Sequence, residues 1–440
     1  MRFRMKRSLA VAAAVATVAV LAGCSAANPG SSTSGNGTVS WPSPTKSLKG
    51  VTLTYWTSSE EAHLADQPIA AFEKATGAKI NTVIIPDVYE TNAPTKLATG
   101  AKPDLATWQP TGSELALLKP STGLQDLSTA PWMKTTTAGI RKIGVVNGKN
   151  YSAVVNVPSV IGMYYNKAVF AKAGITTTPK NWTDLIADAK KIKAIGVAPF
   201  YGAAGTVWPT QWWPQVYVAE AAKAGLWKNL NTGKDTFSGP TLLGAITEYK
   251  SMLDAGYFNS DNATSTYEES APALVDGKAA MVLQINSYLQ QVQTTTSTAK
   301  INSTLGWFPI SKDGNIATSV PGGDNALVAF KTGNATKEAA ARQFLEFWLS
   351  NDYKSYVASA KVVSLEPTVP SAQGVPNIAK QTATALNTAV GSMQQSAVVN
   401  PDFYVYLGDM VNGTKTPAQV ASTTQSQFDQ LAKALGVKGF

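Results

Sequence analysis

The sequence predicts an α/β protein of two lobes built on largely parallel sheets. Three observations carry that prediction. Strand-like and helix-like segments alternate from Val51 onward, the order from which parallel sheets are made. The chain has 440 residues, 44% of them hydrophobic, ample for two cores of ordinary domain size. Cys24 is the only cysteine, so no internal disulfide can take the place of those cores.

Val51-Thr52-Leu53-Thr54-Tyr55-Trp56 alternates β-branched and apolar residues as a strand does. A helix follows, with Ile69, Phe72 and Ala75 on its apolar face, Glu73 and Lys74 on its solvated side, and Gly77 as its stop. Ile80 to Ile85 gives the second strand and Pro103 to Trp108 a short third. Tyr164-Tyr165 lies in another, before a helix around Val169. Asn181 reads as an N-cap, with Asp184 reaching back in the manner of a capping box, and Leu185, Ile186, Ala189 and Ile192 follow helical spacing. No repeat of solenoid period is present.

Residues 1–23 combine a basic start (Arg2, Arg4, Lys6, Arg7) with an Ala/Val-rich apolar run too short to span a bilayer comfortably. Ending in Leu21-Ala22-Gly23-Cys24, they resemble a bacterial lipoprotein signal. The resemblance implies that the Cys24 sulfur receives diacylglycerol and that cleavage makes Cys24 the mature N-terminus. An ordinary secretory signal with an incidental cysteine is the alternative, and both readings imply export. Residues 24–49, rich in Ser, Gly, Asn, Thr and Pro, read as a flexible tether that includes Trp41. No other segment approaches about 20 consecutive apolar residues, leaving lipid at Cys24 as the expected sole membrane attachment. The four signal cations account for part of the net charge of +9, leaving +5 for the mature chain, and no Lys/Arg-rich run points to nucleic acid.

Across nearly the whole mature chain, several short motifs fall in one order: Thr54-Tyr55-Trp56, Phe72-Glu73-Lys74-Ala75-Thr76-Gly77, Pro103-Asp104, Asn147-Gly148-Lys149, Tyr165-Asn166-Lys167, Asn181-Trp182 and Gly277-Lys278-Ala279-Ala280-Met281. Together they resemble the extracellular solute-binding proteins of family 1, the sugar-capturing lipoproteins of ATP-binding cassette importers. The chain departs from that pattern at Tyr151-Ser152-Ala153-Val154-Val155, where its proline is delayed to Pro158. The resemblance implies a periplasmic-binding-protein-like fold of type II, with two α/β lobes, a hinge and ligand between the lobes. By analogy the crossings fall near Val157, Pro321 and Glu366, dividing the chain into lobe 1 (50–157 and 322–365) and lobe 2 (158–321 and 366–440).

The residues themselves leave little room for catalysis. His63 is the single histidine, so a Ser-His-Asp triad or a multi-histidine metal site would have to be built around it alone, and a solvated or capping role fits better. Glu60-Glu61 and Glu268-Glu269 are adjacent pairs, whose side chains diverge on helix or strand. No Gly-x-x-x-x-Gly-Lys-Ser/Thr loop occurs, so an importer's ATPase would be a separate protein. The reading is therefore no catalytic residue, no metal and no cofactor.

Aromatic residues are the positive signal. Of 11 tryptophans, several lie at turns or strand ends, where a flat indole suits the C–H face of a pyranose and polar neighbours take the hydroxyls. Trp56 and Trp108 end strands and are followed by Ser58, Glu60, Gln109 and Thr111. Trp208, Trp212 and Trp213 follow the turn Gly202-Ala203-Ala204-Gly205 and read as a sugar platform from the second lobe, with packing on the sheet as the alternative. Asn286 and Tyr288 lie at a position that the resemblance places near ligand, and Asp324 lies in Gly322-Gly323-Asp324-Asn325 after the second crossing; a strand-end turn and a Gly-rich hinge are the respective alternatives. Trp182, Trp227 and Trp348 lie in or beside helices and read as core; Trp307 is undecided.

The expected function is capture of a carbohydrate, an oligosaccharide or related polyol, by a monomer that delivers it to the permease subunits of an ATP-binding cassette importer. A secreted carbohydrate-active enzyme is the alternative from another class. A binding protein for peptide, iron chelate or polyamine is a third reading, although polyamine calls for more acidic residues than Glu60 and Asp324 supply.

Overall fold

The computed structural model describes residues 40–58, 61–86, 89–320 and 326–440, without the side chains of Glu90, Thr91 and Ala138. Cys24, the signal, the tether as far as Val39, and Glu60, Pro321 and Asp324 lie outside the described residues.

In chain order the strands are β1 (Thr52–Thr57), β2 (Lys79–Ile84), β3 (Leu105–Thr107), a hairpin of β4 (Val145–Val146) and β5 (Lys149–Asn150), β6 (Ala153–Val154), β7 (Ser159–Asn166), β8 (Ala198–Phe200), β9 (Ala279–Ile285), β10 (Leu305–Phe308), β11 (Thr318–Val320), β12 (Ala326–Ala329) and β13 (Val390–Gly391). They form two principal sheets. The first has the order β2-β1-β3-β12-β6; β1, β2 and β3 are parallel, and β12 runs against both its neighbours. The second has the order β13-β11-β7-β9-β8, with β8 parallel to β9 and β7 antiparallel to it. On one edge of β7, β11 pairs with its first residues and β10 with its last, Leu305 opposite Asn166.

Each sheet carries its own core, so the expected α/β class with two lobes is the class observed. The sheets are mixed, however, and not largely parallel: β12 is antiparallel to β3 and β6, and β7 is antiparallel to β9, β10 and β11, because not every strand is followed by a crossover helix that returns the chain in the same direction. Leu53 and Tyr55 of β1, Phe72 of the helix Asp66–Thr76, and Phe344 and Trp348 enclose the first. Phe72 is buried and Ile69 packs on the same core, as expected, while Ala75 is exposed and Thr76 takes the inward position at the end of the helix. The second core gathers Met163, Phe200, Trp213, Trp227, Tyr249 and Phe428 on one face of the second sheet. Tyr164, Tyr288 and Ile301 pack on the other face. Trp182, Trp227 and Trp348 are buried, and Trp307 is buried beside Tyr164. Asn181 caps the helix Trp182–Ala194 by accepting from Asp184 N at 2.9 Å, whereas the Asp184 carboxylate accepts from Lys180 N, one residue before the cap.

The chain passes between the sheets from β6 to β7 and from β11 to β12. It remains on the first lobe through the helix Tyr353–Ala360 and beyond: Glu366 accepts from Thr135 Oγ1 at 2.7 Å, and Val369 and Ala372 pack on the first core. The helix Asn377–Ala385 then lies on the second sheet. Trp41 packs edge-on against Trp132 at 5.1 Å and donates from Nε1 to Thr129, so the chain already touches the first lobe well before Lys49.

Candidate ligand site

Strand direction decides where a site can form. The carboxyl ends of parallel strands are where an open α/β sheet leaves backbone groups and loops free to meet a ligand. In the first sheet β1 ends at Thr57 and β3 at Thr107, and Trp108 N donates to Ala326 O where β12 begins. In the second sheet β8 and β9 end at Phe200 and Ile285, β7 begins beside them, and Val160 N donates to Asn286 Oδ1 at 2.7 Å. The passages from β6 to β7 and from β11 to β12 therefore leave and enter at these same ends.

On the first lobe, Trp56 and Trp108 join Ile85, Tyr89, Leu115 and Phe330 in a small apolar cluster. Trp108 Nε1 donates to Glu114 O at 3.0 Å, and its ring meets Tyr89 edge-on. Both indoles are buried. Ser58 Oγ accepts from Glu61 N, and Thr111 caps the helix Gly112–Leu117 by accepting from Glu114 N at 3.2 Å. Gln109, between them, is half-buried.

On the second lobe, the turn Gly202 to Gly205 lies flush on the loop from Asn259 to Ser265. A Cβ on Gly202 would sit 1.9 Å from Asn262 Oδ1, and one on Gly205 2.4 Å from Thr264 O, so neither position admits a side chain. The contact is tied by Gly202 N to Asn259 Oδ1 at 2.7 Å and by Ser265 Oγ to Gly202 O at 2.8 Å. Val207 follows with φ 64°, strained for a β-branched residue. That strained residue turns the chain into Trp208, which is half-buried and meets Tyr267 at 5.2 Å and Trp212 at 5.8 Å.

Trp213, next to Trp212, is buried in the same core but keeps different company. It stacks on Tyr249 and is ringed by Trp182, Phe200 and Phe258, in the middle of the second core. Tyr288 is likewise enclosed, edge-on to Tyr164 and Tyr267, and burial pushes its phenol far above the usual range. Asn286 is half-buried and lines a groove of about 100 Å³ beside the first passage, with Asn156, Ser159 and Lys361. Glu60 and Asp324 lie outside the described residues. His63 is exposed and pairs with Asp66 at 2.8 Å. Among the described residues no group of three or more His, Cys, Asp or Glu side chains could hold a metal ion, and no helix is long and apolar enough to cross a membrane.

Glutamines absent from the expected set lie beside these tryptophans. Gln394 Nε2 donates to Gln211 Oε1, Gln215 Nε2 approaches the same oxygen at 3.5 Å, and Gln215 Oε1 accepts from Met393 N at 2.9 Å. Gln395 Oε1 accepts from Ser319 Oγ at 2.5 Å. The short helix Met393–Ser396 that carries two of them packs against the helix Gly112–Leu117 of the other lobe. Gln211, inside Trp-Pro-Thr-Gln-Trp-Trp, was the one available sequence signal.

The chain is 24% identical over 329 residues, 71% of this chain and 70% of the other, to an uncharacterised ABC transporter extracellular-binding protein of Pyrococcus horikoshii. A chitin oligosaccharide binding protein superposes with a TM-score of 0.72 at 19% identity, covering 86% of this chain and 98% of that one. The solute-binding protein RafE in complex with raffinose does so with a TM-score of 0.70 at 21% identity, covering 87% and 99%. These likenesses establish a periplasmic-binding-protein-like fold of type II. The sequence profile of the bacterial extracellular solute-binding proteins matches residues 56–355, more than half of the chain, and the protein belongs to that family.

Proposed function

We propose that this solute-binding protein captures a neutral carbohydrate, an oligosaccharide, outside the cytoplasmic membrane and passes it unchanged to the permease subunits of an ATP-binding cassette importer. The observation that carries the reading is the company kept at the carboxyl ends of the second sheet: a half-buried indole, Trp208, beside the uncharged amides of Gln211 and Gln394. An aromatic face suits the C–H face of a sugar ring, and amides both donate to and accept from hydroxyls. Chitin oligosaccharide and raffinose, named for two proteins of the same fold, support the same class.

Trp56, Ser58, Glu60, Trp108, Gln109, Thr111 and Asp324 belong to the first lobe's share of the site, and Trp208, Trp212, Trp213, Asn286 and Tyr288 to the second's, with the buried Trp213 and Tyr288 acting through the shape they give the wall. Ligand held by both lobes favours the closed arrangement, and binding shifts the population toward it. A monomer, anchored by lipid on Cys24 at the outer face of the membrane, would serve this role. Native mass spectrometry of the purified protein, followed by calorimetric titration with neutral oligosaccharides, a polyamine and a ferric chelate, tests the proposal. Tight binding of a charged solute with none for sugars would overturn it, as would release of cleaved sugar.

A further inference from the structure

Two polar atoms at the candidate site are buried and have no hydrogen-bond partner: Trp212 Nε1, a donor, and Gln394 Oε1, an acceptor. Their residues are only 6% and 9% exposed. A buried N–H or amide oxygen without a partner is costly and uncommon. The surroundings leave neither atom free to turn away. Gln394 is held by its own Nε2, which donates to Gln211 Oε1, and the backbone beside it is fixed by Met393 N on Gln215 Oε1 at 2.9 Å. Trp212 is wedged into the second core with its ring against Trp208.

We infer that Trp212 Nε1 and Gln394 Oε1 bind hydroxyl groups of the sugar, and that Gln211 is the positioning residue that aims the Gln394 oxygen. The inference rests on the carbohydrate reading and adds to it the chemistry that selects the ligand. A hydroxyl is both donor and acceptor, so hydroxyls answer both atoms at once. A carboxylate would satisfy the indole N–H and be repelled by the amide oxygen, and an ammonium would do the reverse. The site is thereby set for uncharged, hydroxyl-rich ligand. Because the helix carrying Gln394 packs against the helix Gly112–Leu117 of the first lobe, ligand at Gln394 also lies where the lobes meet.

The test uses the mature chain with Trp212→Phe, Gln394→Leu and Gln211→Leu, titrated calorimetrically with raffinose, chitotriose and xylotriose, while melting temperature is recorded without sugar. Trp212→Phe removes one unpartnered atom and keeps most of the volume, whereas Gln394→Leu removes the unpartnered oxygen together with the Nε2 that donates to Gln211. The expected result is a loss of at least fivefold in affinity for the sugar that binds best in both variants, with a melting temperature equal to or above that of wild type in Trp212→Phe, which breaks no hydrogen bond. Gln211→Leu should weaken binding through Gln394, so that Gln211→Leu and Gln394→Leu together lose little more than either alone. Unchanged affinity in both Trp212→Phe and Gln394→Leu would mean that only ordered water completes these atoms, and would overturn the inference while leaving the carbohydrate reading in place. Loss of affinity that merely tracks a lowered melting temperature would overturn it too. A wild-type protein that binds none of the three sugars but takes a charged solute would overturn the carbohydrate reading and this inference with it.

Discussion

Glu346 ends the helix Ala335–Glu346 inside the first lobe, only 6% exposed and with Oε2 lacking a partner. Burial pushes its carboxyl from 4.5 up to about 7, and the nearby Glu366, itself raised by burial, adds to the shift. In the unfolded chain the group ionises near 4.5, so between about pH 4.5 and 7 the folded state holds a proton that the unfolded state has released. Stability is therefore full below 4.5, falls as pH rises toward 7, and levels off above it. A shift of this size corresponds at most to about 3 kcal/mol at roughly 1.4 kcal/mol per unit; with solvent screening and relaxation, about 1–2 kcal/mol is expected. Glu346→Gln keeps the shape and removes the titration. Urea unfolding from pH 4.5 to 8 should show the variant and wild type equally stable at the acid end, with the variant ahead by about 1–2 kcal/mol at pH 8. Parallel curves, or a variant less stable at pH 8, would refute the reasoning.

Three further outcomes are expected. Cys24→Ser should move the protein from the membrane to the soluble fraction of cells without altering the fold of the purified chain, as membrane fractionation will show. Trp208→Ala should weaken sugar binding by about 1–3 kcal/mol, roughly tenfold to a hundredfold in calorimetry, because a half-buried ring offers its face to ligand; Trp348→Ala should instead lower the melting temperature, at a cost of about 3–5 kcal/mol, and spare the affinity of the folded fraction. His63→Ala should bind sugar as wild type does, and chromatography of the bound sugar after prolonged incubation should recover it intact.

Local rules made much of the fold legible. β-branched alternation marked β1, and Asn181 announced its helix, because each signal is carried by residues within one turn or strand of each other. On the helix around Phe72, Ile69 and Phe72 meet the core as the spacing implies, but Ala75 is exposed and Thr76 buried, since the end of the stripe is set by the sheet it meets and not by the helix alone. Tryptophans at strand ends were readable as a group but not one by one. Trp208 and Trp213 are five residues apart, yet one is half-buried beside Tyr267 and the other is packed among Phe200, Tyr249 and Phe258. Trp41, in a stretch of tether composition, packs on Trp132, a partner about ninety positions away that no local pattern announces. The pairing of Gln211 with Gln394 was beyond reach for the same reason: β13 and the turn after it bring together residues more than 180 positions apart.

The interleaved order of the first sheet bears on how the protein is made. β3 and β6 meet only through β12, which lies between them and is not available until Ala329 has been synthesised. Most of the second sheet, β7 to β11, comes earlier in the chain. During N-to-C emergence the later-numbered lobe is thus the first whose principal strands can all pair, while the earlier-numbered one waits with two open strand edges of the kind that invite mispairing. For an exported chain that wait falls at the exit of the translocation pore. Folding helpers stationed there, or fast release of the last hundred residues, would matter more for yield than the intrinsic stability of either half.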